Sequence, residues 1–307
     1  MPGSSMNERI GLFFRFTRVQ FLPVVFAPLT VGTAASWYVS HSLDLTLLVL
    51  LFLGSATLLI ASNSIDDVYD YLNGVDQASE RLFPKEFPGW KPIPRGLMSV
   101  GQGFAISFAF YFASVSIGVY LAFAVGWVAL AIAIPGILLS YFYVAPPLKL
   151  DYRGLGLGEL SIFLGFGPIP ALGAFYVLTR GLTALPILLS IPCGMLTVDV
   201  LLTHDMIFYE SYKEAGKRSL TVVLGRVKAE WLTVALGATA YAVSLSLVAL
   251  RVVPLGCLLV VLALPLLLRR GLPTGRERAP PEYGLKTQDL FLHSVAFSML
   301  LAAGLLI

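Results

Sequence analysis

Leu45-Thr-Leu-Leu-Val-Leu-Leu-Phe-Leu-Gly-Ser-Ala-Thr-Leu-Leu-Ile-Ala61 runs through Ser62 into Asn63-Ser-Ile-Asp66-Asp67-Val-Tyr-Asp70-Tyr-Leu-Asn73-Gly74-Val-Asp76, so a long apolar segment ends in a string of acids. If the helix continues, Asn63, Asp66, Asp67 and Asp70 recur at helical spacing on one face. Carboxylates stacked on one face repel each other. Gly74 marks the helix C-terminus, where the macrodipole favours cations rather than anions. Something positive must therefore offset these acids. All the donors are oxygens and no Cys or His lies nearby, which indicates a hard cation such as Mg2+, an ion usually held by a few carboxylates plus a substrate phosphate. A solvated acidic helix end is the ordinary reading in a soluble protein. At the mouth of a membrane helix, ionisable groups are costly and mark function.

The whole chain has 307 residues, 57% hydrophobic and 13% charged, with a mean hydropathy of +0.82. That is too apolar for a soluble domain of this length and reads as an all-α polytopic membrane protein. A span needs roughly 20 apolar residues. Nine runs qualify: residues 19–40, 43–65, 100–124, 126–145, 158–178, 184–207, 229–250, 252–268 and 288–307. The expected architecture is a single domain over 1–307, nine transmembrane helices around a central cavity, with an interfacial helix in 1–18 and cytoplasmic cap loops at 73–99 and 208–227. The segment before the first run holds Glu8, Arg9, Arg15 and Arg18; the run is too long for a signal-peptide core and is expected to be retained.

Nine spans put the N-terminus and the loops after even-numbered spans on one side. Of the 21 Lys and Arg residues, all but Arg180 and Arg251 then fall on that side. The positive-inside rule makes it the cytoplasm, places the chain in the cell membrane and turns the acidic stretch inward. The net charge of +3 is the excess that orientation demands, and gives no reason to invoke nucleic acid. Cys193 and Cys257 sit in separate apolar runs without neighbouring ligands, so they read as packing residues.

The loop 73–99 carries Arg81, Lys85, Lys91 and Arg95 among Pro84, Pro88, Pro92 and Pro94, with Phe83, Phe87 and Trp90. That content predicts an ordered cap rather than a loose linker. Cations beside a carboxylate cluster either bridge to it or grip a phosphate that its metal also holds, and Lys91 is the loop's candidate for diphosphate. Arg18, where the interfacial helix enters the membrane, serves either as a snorkelling anchor or as an anion ligand. Between the fourth and fifth runs, Tyr141-Phe-Tyr143-Val-Ala-Pro146-Pro147-Leu-Lys149-Leu-Asp151-Tyr-Arg153-Gly154-Leu-Gly156-Leu-Gly158-Glu159 breaks the helix and turns tightly. Lys149 and Arg153 are its candidate phosphate ligands. No strand precedes its glycines, so it is not a dinucleotide fingerprint.

After the sixth run come Asp199, then His204, Asp205, Glu210 and Glu214, followed by Lys217 and Arg218. Asp199 lies inside the apolar run, where a lone acid needs a partner. Two acidic helix ends, each followed by a basic cytoplasmic loop, suggest two cations facing one another across a shared diphosphate. Residues 210–218 also read as an ordinary charged surface helix. The basic loop 269–287 is assigned to topology.

With these motifs in place, the chain resembles the UbiA superfamily of intramembrane prenyltransferases over nearly its whole length, most closely the 1,4-dihydroxy-2-naphthoate prenyltransferases of menaquinone synthesis. Their Asn-x-x-Asn-Asp-x-x-Asp-x-x-x-Gly-x-Asp stretch is matched by Asn63, Asp66, Asp67, Asp70, Gly74 and Asp76. Their Arg-x-x-x-Leu-Pro is matched by Arg18, Leu22 and Pro23, Tyr-Arg-Gly-Leu-Gly by Tyr152 to Gly156, Phe-Gly-Pro by Phe166 to Pro168, and Gly-Lys-Arg-Thr-Leu by Gly216 to Leu220 with Ser219 for Thr. The chain departs at Asp66, where the family usually has Asn, and at Phe208 and Tyr212, where the family's second pair of acids would fall; neither ring binds Mg2+.

The resemblance implies transfer of a prenyl group from a prenyl diphosphate to a lipophilic, aromatic acceptor such as a naphthoate, with release of diphosphate. Allylic C–O cleavage leaves extra charge on the diphosphate, for Mg2+ and Arg/Lys to stabilise, and a carbocation that a water-excluded cavity must protect. The expected ligands of the first Mg2+ are Asn63, Asp66, Asp67 and Asp70, and of the second Asp205 and Glu210. Diphosphate candidates are Arg18, Lys91, Lys149, Arg153, Lys217 and Arg218. Asp199 or His204 is the candidate base toward the acceptor, and Asp66, Asp70 and Asp205 complete the catalytic set. The alternatives are the same fold acting on a glycerol phosphate lipid, a chlorophyllide, 4-hydroxybenzoate or haem, a cation-coupled transporter whose acids line an ion path, and a weakened lipid-binding relative, which Phe208 and Tyr212 suggest.

Overall fold

The computed structural model describes residues 6–84 and 90–307, without the side chains of 6–9. Lys85, Phe87 and Pro88 of the first cap loop and residues 1–5 of the N-terminal segment lie outside the described residues, as do the side chains of Glu8 and Arg9.

Among the described residues every regular element is a helix. Helix α1 (Met6–Thr17) ends where Arg18 turns left-handed at φ 49°, and α2 (Leu22–Ser40) starts with proline in its first turn. Asp44 caps α3 (Leu45–Leu72), accepting from the amides of Thr46 at 2.9 Å and Leu47 at 3.1 Å. This helix runs past residue 65, because nothing in the acidic stretch breaks it before Asn73 and the left-handed Gly74. The short α4 (Val75–Leu82) follows, then α5 (Val100–Val125) behind a Ser99/Gln102 capping box, and α6 (Val128–Phe142).

The run expected at 158–178 is two helices, α7 (Leu157–Gly165) and α8 (Pro168–Thr179), because Pro168 has no N–H to continue the ladder across Gly167. Then come α9 (Leu185–Ile207), α10 (Tyr209–Glu214), α11 (Leu220–Leu224) and α12 (Arg226–Ala249). A 3-10 stretch, Leu255–Ala263, leads into α13 (Leu264–Arg270), and α14 (Pro280–Gly304) closes the chain.

Among the described residues six segments are long and apolar enough to cross a membrane: Val19–Ser40, Leu45–Leu72, Val100–Val125, Leu157–Thr179, Leu185–Ile207 and Arg226–Ala249. The other three expected runs are the shorter apolar α6, the 3-10 stretch with α13, and the C-terminal part of α14.

Helix α3 lies along α5, α9 along both α12 and α14, and α2 touches α8, α9 and α14, so α2 joins the two halves. One core gathers Val31, Phe175, Leu189, Leu196, Ala240 and Phe297 between α2, α8, α9, α12 and α14. A second sets Leu29 and Ala174 against Leu51, Leu59 and Leu121. Small residues let these helices meet closely, as is usual where lipid offers no hydrophobic drive. A Cβ at Gly32 would stand 2.3 Å from the Ala171 carbonyl oxygen, so α2 and α8 touch backbone to backbone. The large apolar side chains left over point outward, Phe112 and Phe123 being 74% and 73% exposed, as a lipid-facing surface requires. This is an integral membrane protein, and a concentration of acids lies where α3 and α9 finish.

Candidate active site

Helix α3 carries Asp66, Asp67 and Asp70 into its last turns, and Gly74, at φ 84°, turns the chain so that α4 brings Asp76 back to the same place. Asp67, Asp70 and Asp76 are each at most 3% exposed. Four carboxylates so close together are held by cations from elsewhere in the chain. Lys91 places Nζ 3.1 Å from Asp67, 3.0 Å from Asp70 and 2.9 Å from Asp76. Arg18 pairs with Asp67 and, at 3.5 Å, with Asp66. Tyr152 donates its hydroxyl to Asp70 Oδ1 at 3.0 Å. Burial alone would lower the Lys91 ammonium's pKa, but the three surrounding carboxylates outweigh it and hold Lys91 well above its usual value.

The described part of the cap loop is held in place by aromatic and basic residues. Trp90 lies between the guanidinium groups of Arg15 (4.1 Å) and Arg95 (4.5 Å), and Arg95 in turn pairs with Glu80 at 3.1 Å. Pinned on both faces, Trp90 sets its neighbour Lys91 into the acids. Arg81 reaches Glu214 at 2.5 Å and the Phe83 ring packs edge-on against Phe208 at 5.4 Å, so the two cap segments close on each other.

A second acid group lies beside the first. Asp151, from a 3-10 turn, Glu159, from the first turn of α7, and Asp205, from the last turns of α9, each offer a carboxylate oxygen within 4.8 Å of the other two. All three are buried. Lys217 links the groups, its Nζ 2.7 Å from Asp151 and 3.6 Å from Asp70. Asp76 and Asp151 are both pushed up to about 7, chiefly by burial; Lys91 and Lys217 respectively pull them back, and neighbouring acids push them further. Among the described residues several oxygens in the two groups are buried without a hydrogen-bond partner: Asp66 Oδ1, Asp67 Oδ2, Asp76 Oδ2, Asp151 Oδ1 and Asp205 Oδ2. An open apolar cleft of about 230 Å³, walled by Leu160, Phe163, Met195, Val198 and Leu232, begins at Glu159.

The residues expected from sequence divide accordingly. Asp66, Asp67, Asp70, Arg18 and Lys91 meet in one group, with Asn63 one turn earlier on α3, and Lys217 reaches the same acids. Lys149 donates to Asn73 Oδ1 at 2.7 Å, at the group's edge. Asp205 joins the second group, with His204 Nδ1 3.8 Å from it and that imidazole partly exposed. Glu210 instead pairs with Arg226 at 3.2 Å and is 57% exposed. Arg153 donates to the carbonyls of Leu148 and Pro147 and stays exposed, as does Arg218. Asp199 faces α12, where a Cβ on Gly237 would lie 3.6 Å from its Oδ2, and neither of its oxygens has a hydrogen-bond partner.

Sequence reasoning passed over Asp76, Asp151, Glu159 and Tyr152 as site residues. Asp76 belongs to the acidic string that opens the site, whereas Asp151 and Glu159 are lone carboxylates in a stretch whose sequence stands out for its cations and glycines. Phe208 and Tyr212 stack at 6.0 Å, and the Tyr212 ring lies 4.3 Å beneath Lys217.

Chemically, the two groups form an all-oxygen anionic cluster with ammonium and guanidinium partners, suited to hard cations and a phosphate-bearing ligand. The profile described as the UbiA prenyltransferase family matches residues 25–295. The 1,4-dihydroxy-2-naphthoate octaprenyltransferase of Bacillus subtilis (strain 168) is 26% identical over 76% of this chain and 73% of its own length. That of Haemophilus influenzae is 26% identical over 98% of each chain. A UbiA homolog from Archaeoglobus fulgidus, solved bound to GPP and Mg2+, superposes with a TM-score of 0.62 at 19% identity, covering 94% of this chain and 99% of that one.

Proposed function

The chain belongs to the UbiA prenyltransferase family, and from that premise we propose that it transfers a prenyl group from a prenyl diphosphate to a naphthoate-type aromatic acceptor, with the site at the cytoplasmic mouth of the helices. The observation that carries this is the paired acid groups bridged by Lys217, with buried carboxylate oxygens that have no hydrogen-bond donor among the described residues. Uncompensated oxygens of this kind fit Mg2+, which prefers carboxylates with substrate phosphate completing its shell. Asp66, Asp67, Asp70 and Asp76 would hold one ion. Mg2+ bound there supplies Lewis-acid stabilisation of the departing diphosphate.

The chain's own residues do the rest. Arg18, Lys91 and Lys217 lie against the acids and turn to the diphosphate oxygens as charge builds on them. The cap, closed over the acids by Trp90, Phe83 and Phe208, excludes water from the allylic cation after the C–O bond breaks. The acceptor's ring carbon then forms the new C–C bond and gives up its proton. An amphiphilic donor needs apolar surface continuous with its polar end, and the cleft starting at Glu159 supplies it. The naphthoate acceptor is favoured because the curated relatives named above act on one.

The test is purified full-length protein in lipid nanodiscs with radiolabelled geranylgeranyl diphosphate, Mg2+ and a panel of acceptors. Mg2+-dependent prenylation of 1,4-dihydroxy-2-naphthoate is the expected result. Turnover only with a glycerol phosphate lipid, chlorophyllide, 4-hydroxybenzoate or haem would overturn the acceptor. Donor binding without turnover on any acceptor would overturn the transferase reading.

A further inference from the structure

Resting on that transferase reading, we propose that a second divalent cation is held by Asp151, Glu159 and Asp205, so that two of its three carboxylates come from the segment between α6 and α8 and only one from the end of α9. The three oxygens lie within 4.8 Å of one another. In an octahedral Mg2+ shell with bonds of about 2.0–2.1 Å, adjacent ligands lie roughly 3 Å apart and opposite ones roughly 4.2 Å. Side-chain movements of up to about an ångström therefore close the three around one ion.

Two observations beyond the proximity of the acids point to a ligand. Asp151 Oδ1 and Asp205 Oδ2 accept no hydrogen bond among the described residues, although their residues are only 2% and 1% exposed. Buried carboxylate oxygens without a donor are uncommon and costly. The other is the way the carboxylates are seated. Leu220 donates its amide to Glu159 Oε1 at 2.7 Å, and the Asp151 amide donates to the Tyr143 carbonyl at 3.0 Å. A Cβ at residue 158 would stand 2.6 Å from Asp151 Oδ1, so only glycine lets that carboxylate lie against the start of α7. Lys217 spreads one positive charge between Asp151 and Asp70 and leaves the group net negative.

The stretch after α9 has little else to offer. Phe208 and Tyr212 turn stacked rings toward the cap and Lys217, and Glu210 turns to Arg226. The acids of the 151–159 segment fill the role.

Mn2+ titrated into the full-length protein in nanodiscs, with free ion followed by electron paramagnetic resonance, tests this without any turnover. The wild type should bind two ions. Asp151→Asn, Glu159→Gln and Asp205→Asn should each weaken one ion at least tenfold and leave the other; Asp67→Asn should do the reverse. Glu159→Gln still accepts from the Leu220 amide, and melting curves in EDTA close to wild type show that it folds. Two ions bound at wild-type affinity in all three variants would overturn the ligand set. So would a single wild-type ion that Asp67→Asn removes and Asp205→Asn leaves, and the transferase reading would survive that result. No Mn2+ bound by the wild type would overturn both.

Discussion

The two acid groups differ in how the chain makes them. The first is nearly contiguous: three carboxylates on the last turns of α3 and a fourth one short turn later, balanced by Arg18 and Lys91. The second is assembled from three segments, a 3-10 turn, the start of α7 and the end of α9, and shares a single ammonium with its neighbour. A helix can place like charges together only if other parts of the chain bring the compensation, so the first group is tied to the cap. The second is tied to packing, through Gly158 and the Leu220 amide. Disturbing the first should therefore abolish chemistry, and disturbing the second should mainly change how much cation is needed.

The sharpest break falls on Asp70, which touches both groups through Lys91, Lys217 and Tyr152. Asp70→Asn is expected to lower kcat/KM for prenyl transfer by about 10²–10³-fold, the range for removing a main electrostatic stabiliser. Steady-state rates with geranylgeranyl diphosphate check this, and activity within a fewfold of wild type would remove Asp70 from the site. Asp205→Asn should cost less, about 10–100-fold. Its mark is a rise in the Mg2+ concentration for half-maximal rate, with much of the activity recovered at high Mg2+.

How far each group was legible in the sequence follows from the same contrast. Asn63, Asp66, Asp67 and Asp70 share a helix face by spacing alone, at the end of an apolar run. The membrane class and the long helices followed from hydropathy. Asp151 and Glu159 were on the page as letters, but nothing local says that a 3-10 turn and the first turn of α7 meet the end of α9. That meeting depends on the break at Gly167 and Pro168 and on the missing Cβ at Gly158. Glu210 was expected near the second cation because it lies close in sequence to Asp205. The helix break at Phe208 and the pull of Arg226 send it elsewhere.

A smaller effect separates the groups from their cations. Asp76 and Asp151 stay protonated up to about pH 7 in the cation-free fold, mainly through burial, whereas an unfolded chain ionises Asp near 4. Between those values the folded state binds more protons, so stability falls as pH rises toward 8 and levels off above it. From pH 6 to 8 the loss is roughly 1 kcal/mol for each group, which is a few degrees in apparent melting temperature. Mg2+ binds the ionised forms and should raise the melting temperature more at pH 8 than at pH 6. Melting curves in EDTA and in Mg2+ at the two pH values decide it; an EDTA-treated protein that is more stable at pH 8 would contradict both protonations.

The least effect is expected at Glu210, and it sharpens the comparison because sequence proximity alone would place it with Asp205. Its side chain is more than half exposed and meets Arg226, which also pairs with Glu277 at 3.1 Å. Exposed ion pairs contribute about 0–1 kcal/mol, and Arg226 keeps a partner when Glu210 is gone. Glu210→Gln should therefore leave the transfer rate and the Mg2+ requirement within about fivefold of wild type, the most that about 1 kcal/mol produces. If it instead raised the Mg2+ requirement as far as Asp205→Asn does, the end of α9 and the start of α10 would have to rearrange when the donor binds. The second group would then be a pair built on one helix end, as the first is, rather than a site drawn together from three segments.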